Sequence, residues 1–508
     1  MTQPTRRAAL CVLLALIAAT LGLIFAVSHM SHSVWYDESL TDIIARQPTF
    51  GGLVKSAMDL KAYPPAFFVV VRWVYSVDDS PGGMRLPSAV FGSLATLAVF
   101  ALGRIAGGPA VGALAGAFFV LTPGALRYFS DGNAYTLLML ASAVSTVCLY
   151  RALQTDRRLH WILYCASALL GLATHTIFVF HLGGQILAAL WYRFVLKPNG
   201  KRKPATGPMR MMLTMSVLLV LWLAWVVFYM ISGGMTRAVS LSAIWSPAML
   251  LAVPGMYAGP LSFGTLLPLV LWLLLQLAGA VALFLERRTV FLFLVILTAS
   301  SLLAISLFIK ATLSYFAYRY GLGLFPIACV IAACSIGLSP TRLGILPRMM
   351  KKATFAVAAA YLVVGGWFLA KAGPEVWDYQ AWDEVSALLA QETRAGDAVV
   401  VQPSICVAAL QYYYKGPAVR YPPKWIEGWS PALEELTASI ARKHGTVWLV
   451  LSSFENPSSF VSSFTERLDR RRRAAAGNYT ARIERAGCLV REAKRFLRTT
   501  VIGFECPR

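Results

Sequence analysis

RRAALCVLLALIAATLGLIFAVSHMSHSVWYDE, residues 6–38, joins two arginines, an apolar run from Leu10 to Val27, and the sequence Trp35-Tyr36-Asp37-Glu38. The run is longer than the roughly 7–15-residue apolar core of a signal peptide. It reaches the ~20 residues that span a bilayer as a helix, so it reads as a first transmembrane helix with the arginines on its cytoplasmic side. Comparable runs recur to Ala370, and 57% of the 508 residues are apolar while only 14% are charged, against about a quarter charged in soluble domains. Disorder, free secretion and a single compact cytosolic fold are excluded.

Eleven helices of spanning length are predicted near 8–28, 86–103, 109–125, 132–150, 159–175, 177–193, 211–231, 265–285, 289–308, 320–338 and 353–371. The net charge of +22 is unevenly placed: residues 1–371 hold 28 Lys/Arg and 9 Asp/Glu, residues 372–508 hold 18 and 15. With the N-terminus inside, the cytoplasmic loops collect eighteen cations and the longer outer loops nine. That is the positive-inside bias of a bacterial inner membrane, with attraction to anionic membrane lipids beside it, and it argues against a nucleic-acid partner. Pro65–Val77 is apolar but short and carries Arg72, so it reads as interfacial or re-entrant. The outer face then holds a first loop, residues 29–84, a loop near 232–264, and everything from Ala372 onward. Seven of the nine acidic residues of the membrane half, Asp37, Glu38, Asp42, Asp59, Asp78, Asp79 and Asp131, fall on that face. The spans themselves read as nearly free of buried polar groups.

The composition changes after Gly373-Pro374. Helices near 375–393, 404–414, 431–443 and 457–474 alternate with strands at 398–402, 446–452 and 499–505, which predicts a small periplasmic α/β domain over 372–508 with a mostly parallel sheet. The fold class is therefore a polytopic α-helical membrane protein, transmembrane module 1–371, with a C-terminal periplasmic α/β domain. The eight cysteines lack metal-type spacing. In an oxidising compartment one disulfide can form in the tail, Cys488 and Cys506 being the nearest pair in sequence.

Asp37 and Glu38 follow the first span directly, and Tyr63-Pro64-Pro65 opens the short apolar segment. A partly desolvated carboxylate here suits a general base acting on a hydroxyl; an interfacial belt without chemistry is the plainer reading. Arg319-Tyr320 lies at the outer start of the tenth span, where an arginine fork suits a lipid-linked phosphate or merely snorkels to headgroups. Arg85, Lys61 and Arg127 lie at the same level. His175 ends the fifth span. With His181 and an acidic residue it is a conceivable metal ligand, so a divalent metal is left open as a cofactor, although a hydrogen-bonded structural role accounts for it as well. Asp131, in Asp131-Gly132-Asn133-Ala134-Tyr135, suits an N-cap of the fourth span or a substrate pocket shared with Tyr135.

These residues occur in an order that resembles the bacterial type C glycosyltransferases related to protein O-mannosyltransferases and lipid A aminoarabinose transferases. The elements are the acidic pair after the first span, Tyr63-Pro64-Pro65, Arg85-Leu86-Pro87-Ser88, Thr174-His175-Thr176 and Arg319-Tyr320, covering roughly residues 1–340. The resemblance implies a polyprenyl-phosphate-linked sugar as donor, transfer on the extracytoplasmic face, and a catalytic first-loop carboxylate, which is Asp37 here with Glu38 beside it. The family's Glu-Ala-Arg-x-Tyr stands here as Asp131-Gly132-Asn133-Ala134-Tyr135, without its arginine, and the tail lies outside the resemblance.

The expected function is sugar transfer to a glycan, lipid or protein acceptor. Asp37 takes the acceptor hydroxyl's proton, Arg319 with Tyr320 and Lys61 or Arg85 holds the lipid phosphate, and Tyr63, Asp131, Tyr135 and His175 line the substrate pocket. A single displacement of this kind inverts the anomeric carbon. The sugar arrives on lipid, so no nucleotide-binding motif is required, and no GxxxxGK[ST] is present. The competing readings are a membrane-anchored periplasmic binding or scaffold protein and a transporter of lipid-linked sugar.

Overall fold

The computed structural model describes residues 3–61, 63–195, 206–231, 267–312, 318–338, 346–371, 380–402, 406–421, 440, 443–452, 480–481, 483–496 and 499–507. The chain forms two compact units. One comprises Met1–Met30, Ile44–Leu261 and Thr265–Lys371, the other Ser31–Ile43, Ser262–Gly264 and Ala372–Arg508. The expected outer loop near 232–264 and the helices near 431–443 and 457–474 lie outside the described residues, apart from Ile440 and Lys443.

The first unit is helical throughout: α1 (Gln3–Ser28), the short α3 (Phe50–Lys61) and α4 (Ala66–Val74), α5 (Pro81–Gly107), α6 (Pro109–Leu121), α7 (Pro123–Phe129), α8 (Tyr135–Thr155), α9 (Arg158–Thr174), α10 (Phe178–Leu190), α11 (Thr206–Ile231), α12 (Leu267–Thr312), α13 (Phe325–Gly337) and α14 (Leu346–Lys371). The helix α2 (Tyr36–Ala45) runs across the boundary between the units. Among the described residues seven helices are long and apolar enough to cross a membrane, while Pro109–Leu121 and Lys352–Trp367 are shorter apolar helices. The two spans expected at 265–285 and 289–308 are the two halves of α12, two helices separated by a kink at Arg287, where the backbone leaves the helical region (φ −140, ψ 51). Side chains of α1 such as Leu21 and Ile24 are exposed, as a lipid-facing helix requires.

The segment at Pro65 resolves as α4. Its nine residues span only about 13 Å, against a hydrocarbon core of about 30 Å. Phe67, Phe68 and Val71 are buried, and the Arg72 guanidinium donates to the carbonyls of Gln47 and Pro48. Arg72 is thus a brace between short outer helices.

Helix α5 starts at Ser80, whose hydroxyl accepts from the Gly83 amide at 3.2 Å, and packs on α1, α6 and α8. Helix α12 packs on α10 and α13 through a close backbone approach: a Cβ added at Gly279 would lie 1.8 Å from the Ile331 carbonyl oxygen. The expectation of apolar span interiors needs correction between α8 and α10. There Gln185 donates to Ser145 Oγ at 2.8 Å and to Thr146 Oγ1 at 3.2 Å, and His181 Nε2 lies 3.3 Å from Thr146 Oγ1. All four side chains are buried. Isolated Ser, Thr and His residues in an apolar run carry no periodic signal, so their convergence on one helix pair was invisible before folding.

In the second unit a five-stranded sheet has the order β2-β1-β3-β5-β4, with β1 (Ala398–Gln402), β2 (Val419–Tyr421), β3 (Thr446–Ser452), β4 (Leu489–Phe496) and β5 (Thr499–Glu505). The first three strands are parallel, whereas β5 pairs antiparallel with β3 and β4. The sheet is thus mixed rather than mostly parallel. Strand β4 escaped the sequence reading because both its faces are largely exposed, which erases the apolar alternation. Helices α15 (Trp382–Glu392) and α16 (Val407–Tyr413) pack with Val399, Val401, Trp448 and Val450 on one face. Ile440, Ile483 and Phe504 pack with Val400 and Leu449 on the other. The expected disulfide is present between Cys488 and Cys506.

Two outcomes are expected. Gly279→Ala lowers the thermal stability of the detergent-solubilised protein by about 1–3 kcal/mol, the usual cost of overpacking, whereas Gly366→Ala, with nothing within 4 Å of the added Cβ, does not. Cys506→Ser destabilises the C-terminal unit by about 3 kcal/mol, the chain-entropy value for a loop of this size, read by its protease resistance.

Candidate active site

The sequence-predicted residues divide between the two units. In the C-terminal unit lies the acidic pair, at the first turn of α2. Asp37 is 5% exposed and Glu38 0%. Glu38 occupies the third helical position, and its Oε2 accepts from the Trp35 amide at 3.4 Å, the reach-back half of a capping box. Both carboxylates also benefit from the positive end of the helix dipole. Glu38 thus helps to start the helix, and Asp37 precedes it by one residue in the same turn.

The same segment is fastened within its unit. The Val34 amide donates to the Tyr413 hydroxyl at 2.7 Å, the Asp383 amide donates to Ser33 Oγ at 3.3 Å, and Tyr36 packs against the core that contains Trp382 and Tyr414. Asp37 thus directly follows a stretch fastened to the rest of its unit at Ser33, Val34 and Tyr36.

In the transmembrane unit a second constellation forms where α3, α8, α9 and the 3-10 turn Tyr318–Leu324 end or begin. The hydroxyls of Tyr63 and Tyr135 lie 3.1 Å apart. The His175 ring stacks on Tyr63 with centroids 4.1 Å apart and lies 5.6 Å from Tyr135 and 6.3 Å from Tyr320. The Arg319 guanidinium carbon is 5.9 Å from the centre of the Tyr135 ring, within cation–π range. His175 Nδ1 accepts from the Ile177 amide at 3.1 Å, so a neutral His175 carries its proton on Nε2. Five residues from four parts of the sequence, Tyr63, Tyr135, His175 and Arg319-Tyr320, are thereby brought together.

The remaining expectations fare differently. Arg85 lies near the start of α5 and is fully buried, and its guanidinium donates to the Met30 carbonyl, tying α5 to the chain just after α1. The side chain of Lys61 lies outside the described residues. Asp131 is 1% exposed but does not cap α8: the N-cap is Ala134, with no side-chain cap, and the Ala134 amide donates to Asn133 Oδ1 at 2.9 Å. Asn133, whose carbonyl also accepts from Ser88 Oγ at 3.0 Å, does the local work that the sequence assigned to Asp131. His175 and His181 have separate partners, the aromatic cluster and Thr146, and among the described residues no group of three His, Cys, Asp or Glu could hold a metal. Tyr128, 5.2 Å from Tyr135 and faced by Arg127 at 5.7 Å, belongs to the cluster. Its place beside Tyr135 follows from the break between α7 and α8, which no motif signals.

Comparison with known proteins adds the following. Residues 62–227 match the family dolichyl-phosphate-mannose-protein mannosyltransferase. No curated protein is similar in sequence. ArnT from Cupriavidus metallidurans, solved bound to undecaprenyl phosphate, superposes with a TM-score of 0.52 at 14% identity, covering 98% of each chain. In its apo state the TM-score is 0.55 at 13% identity, covering 99% of this chain and 98% of that one. The Archaeoglobus fulgidus oligosaccharyltransferase in its apo form superposes with a TM-score of 0.50 at 10% identity, over 86% of this chain and 69% of that one. Residues 62–227 thus resemble the dolichyl-phosphate-mannose-protein mannosyltransferases, and the chain as a whole shares its fold with ArnT and carries helices long enough to span a bilayer.

Proposed function

We propose that the protein transfers a sugar from a polyprenyl-phosphate-linked donor to an acceptor hydroxyl on the periplasmic face of a bacterial inner membrane, with inversion at the anomeric carbon. The observation that carries this reading is the buried Asp37 at the head of α2, in a chain with the fold of ArnT and a segment that matches the dolichyl-phosphate-mannose-protein mannosyltransferases. Asp37 is the general base. It accepts the acceptor hydroxyl's proton as that oxygen forms its bond to the anomeric carbon and the bond to the lipid phosphate breaks. Proton removal by a positioned carboxylate is worth about 10²–10⁴-fold. Glu38 holds the turn on which Asp37 sits.

Arg319 neutralises the departing lipid phosphate, and Tyr320, Tyr63 and the Nε2–H of His175 supply neutral donors around it. Support for a lipid phosphate comes from ArnT, which was solved with undecaprenyl phosphate. The acceptor is a glycan, a lipid or a protein of the envelope. The N-terminus is cytoplasmic and the C-terminal unit periplasmic, where the Cys488–Cys506 disulfide suits an oxidising compartment.

Mass spectrometry of the native host's envelope lipids tests the reading. In a strain carrying Asp37→Asn at normal protein levels, one polyprenyl phosphosugar accumulates and the same sugar mass disappears from an envelope product; unchanged pools refute it. Glu38→Gln, whose amide oxygen can still accept from the Trp35 amide, retains most of the turnover that Asp37→Asn loses. The cluster has its own signature in purified protein. Tyr63→Phe and Tyr135→Phe, each costing about 0.5–1.5 kcal/mol of stability through the lost hydroxyl contact, show a double-mutant coupling of similar size.

A further inference from the structure

The residues from Ser33 to Tyr36, which lead into Asp37, are held one after another inside the C-terminal unit. Ser33 Oγ accepts from the Asp383 amide at 3.3 Å, and the Val34 amide donates to the Tyr413 hydroxyl at 2.7 Å. Trp35 is buried, its ring perpendicular to that of Tyr36 with centroids 5.0 Å apart, and Tyr36 packs against the core around Trp382. From Trp35 onward the path is set by α2 itself, since the Ser39 amide donates to the Trp35 carbonyl at 2.9 Å. The direction in which α2 starts, and with it the place of Asp37, is therefore decided at Ser33 and Val34.

Both bonds meet a backbone requirement. The first amides of a helix have no partner within it; Asp383 carries one of them in α15, whose N-cap Ala381 makes no side-chain cap, and Ser33 supplies the acceptor. Val34 is 0% exposed, so its amide is out of water and must be bonded inside the protein. The two anchors differ in stiffness. The Ser33 bond is the longer. The Val34 bond ends on an aromatic side chain at the last residue of α16, a helix whose Val407, Ala409 and Leu410 pack with Val399 and Val401 of the sheet. The Tyr413 ring packs against that same core and edge-on to Tyr412, with centroids 4.9 Å apart. The sheet thus sets where the hydroxyl stands, and the hydroxyl sets where Val34 stands, three residues before Asp37.

We infer that Tyr413 is a positioning residue for Asp37: by holding the Val34 amide it fixes the place of the carboxylate without touching substrate, which makes the C-terminal unit part of the catalytic apparatus. The inference rests on the transferase reading, in which Asp37 is the base. A general base must lie within hydrogen-bond reach of the proton it takes, and a displacement of about 1 Å can cost about 10²-fold in rate. A merely structural role predicts the same loss from any buried hydroxyl of this core. Tyr414 supplies the comparison: its hydroxyl lies 2.7 Å from Thr393 Oγ1 and accepts from the Ala418 amide at 3.1 Å, two bonds in the same core that do not involve the Asp37 segment.

The experiment uses full-length protein in nanodiscs and two readouts. Amide hydrogen exchange of the peptide 31–43 reports the fastening without any substrate. Sugar transfer is followed with the lipid extract of the Asp37→Asn strain as donor and that strain's envelope fraction as acceptor, so that kcat and KM are obtained separately. In Tyr413→Phe, which keeps the ring, exchange in 31–43 rises about fivefold, the ratio one hydrogen bond supplies. Its kcat falls about 10–10²-fold with KM for the donor unchanged. Tyr414→Phe lowers the melting temperature at least as much and leaves both readouts near wild type. Added to Asp37→Asn, Tyr413→Phe changes turnover no further, because it acts through that carboxylate. Wild-type exchange or kcat in Tyr413→Phe, an equal loss of kcat in Tyr414→Phe, or the full loss repeated on top of Asp37→Asn would each overturn the positioning role while leaving the transferase reading intact. Unchanged lipid pools in the Asp37→Asn strain would instead overturn that reading, and the positioning role with it.

Discussion

A hydrocarbon solvent leaves no partner for an open backbone amide or carbonyl, and this single constraint arranges the rest of the molecule. Inside the bilayer the chain must be helical, so side chains there are largely committed to packing. Freedom to do chemistry returns where helices end. The candidate residues of each unit lie at such places: in one unit Asp37 in the first turn of α2, and in the other Tyr63 between α3 and α4, Tyr135 at the first position of α8, His175 capping α9, and Arg319 in the 3-10 turn ahead of α13. The aromatic cluster is a meeting of helix termini, and its precision derives from the rigidity of the helices behind it.

The polar ladder between α8 and α10 belongs to the same logic. Tyr135 and His175 sit at the outer ends of these two stretches, while Ser145, Thr146, His181 and Gln185 cross-link them deeper down. Apolar contacts alone allow helices to slide past one another, but directional hydrogen bonds between side chains resist such sliding. Buried polar groups inside spans are usually taken as a transport pathway. Here they are bonded to one another across a helix pair.

The helical half of the fold was legible in the sequence because its signal is long and redundant: a span of twenty apolar residues survives any single exception. The break at Arg287 was legible as the Glu286-Arg287-Arg288 interruption between two spans, and the backbone does leave the helix there. Strands β1, β3 and β5 were found because their burial is strong, and β4 was missed because it is an exposed edge. The site was legible as residue types at a membrane level, with Asp37, Tyr63, His175 and Arg319 all named correctly as neighbours of helix ends. It was not legible as contacts. Nothing in Arg85-Leu86-Pro87 tells that the guanidinium turns into the packing of α1 and α5, and nothing in Asp131-Gly132-Asn133 tells which of the two polar residues answers to the helix start. Those outcomes depend on partners distant in sequence.

The segment Ser31–Ile43 has a consequence for biosynthesis. Its anchors, Tyr413 and Asp383, lie 379 and 350 residues further along the chain. Such remote pairings are the slow kind, because they close the longest loops. The stretch carrying Asp37 therefore leaves the ribosome early and cannot settle until the last quarter of the chain has been made. A polypeptide released before that point would hold its apolar helices and still lack an ordered Asp37, so the order of this segment depends on completion of its own unit.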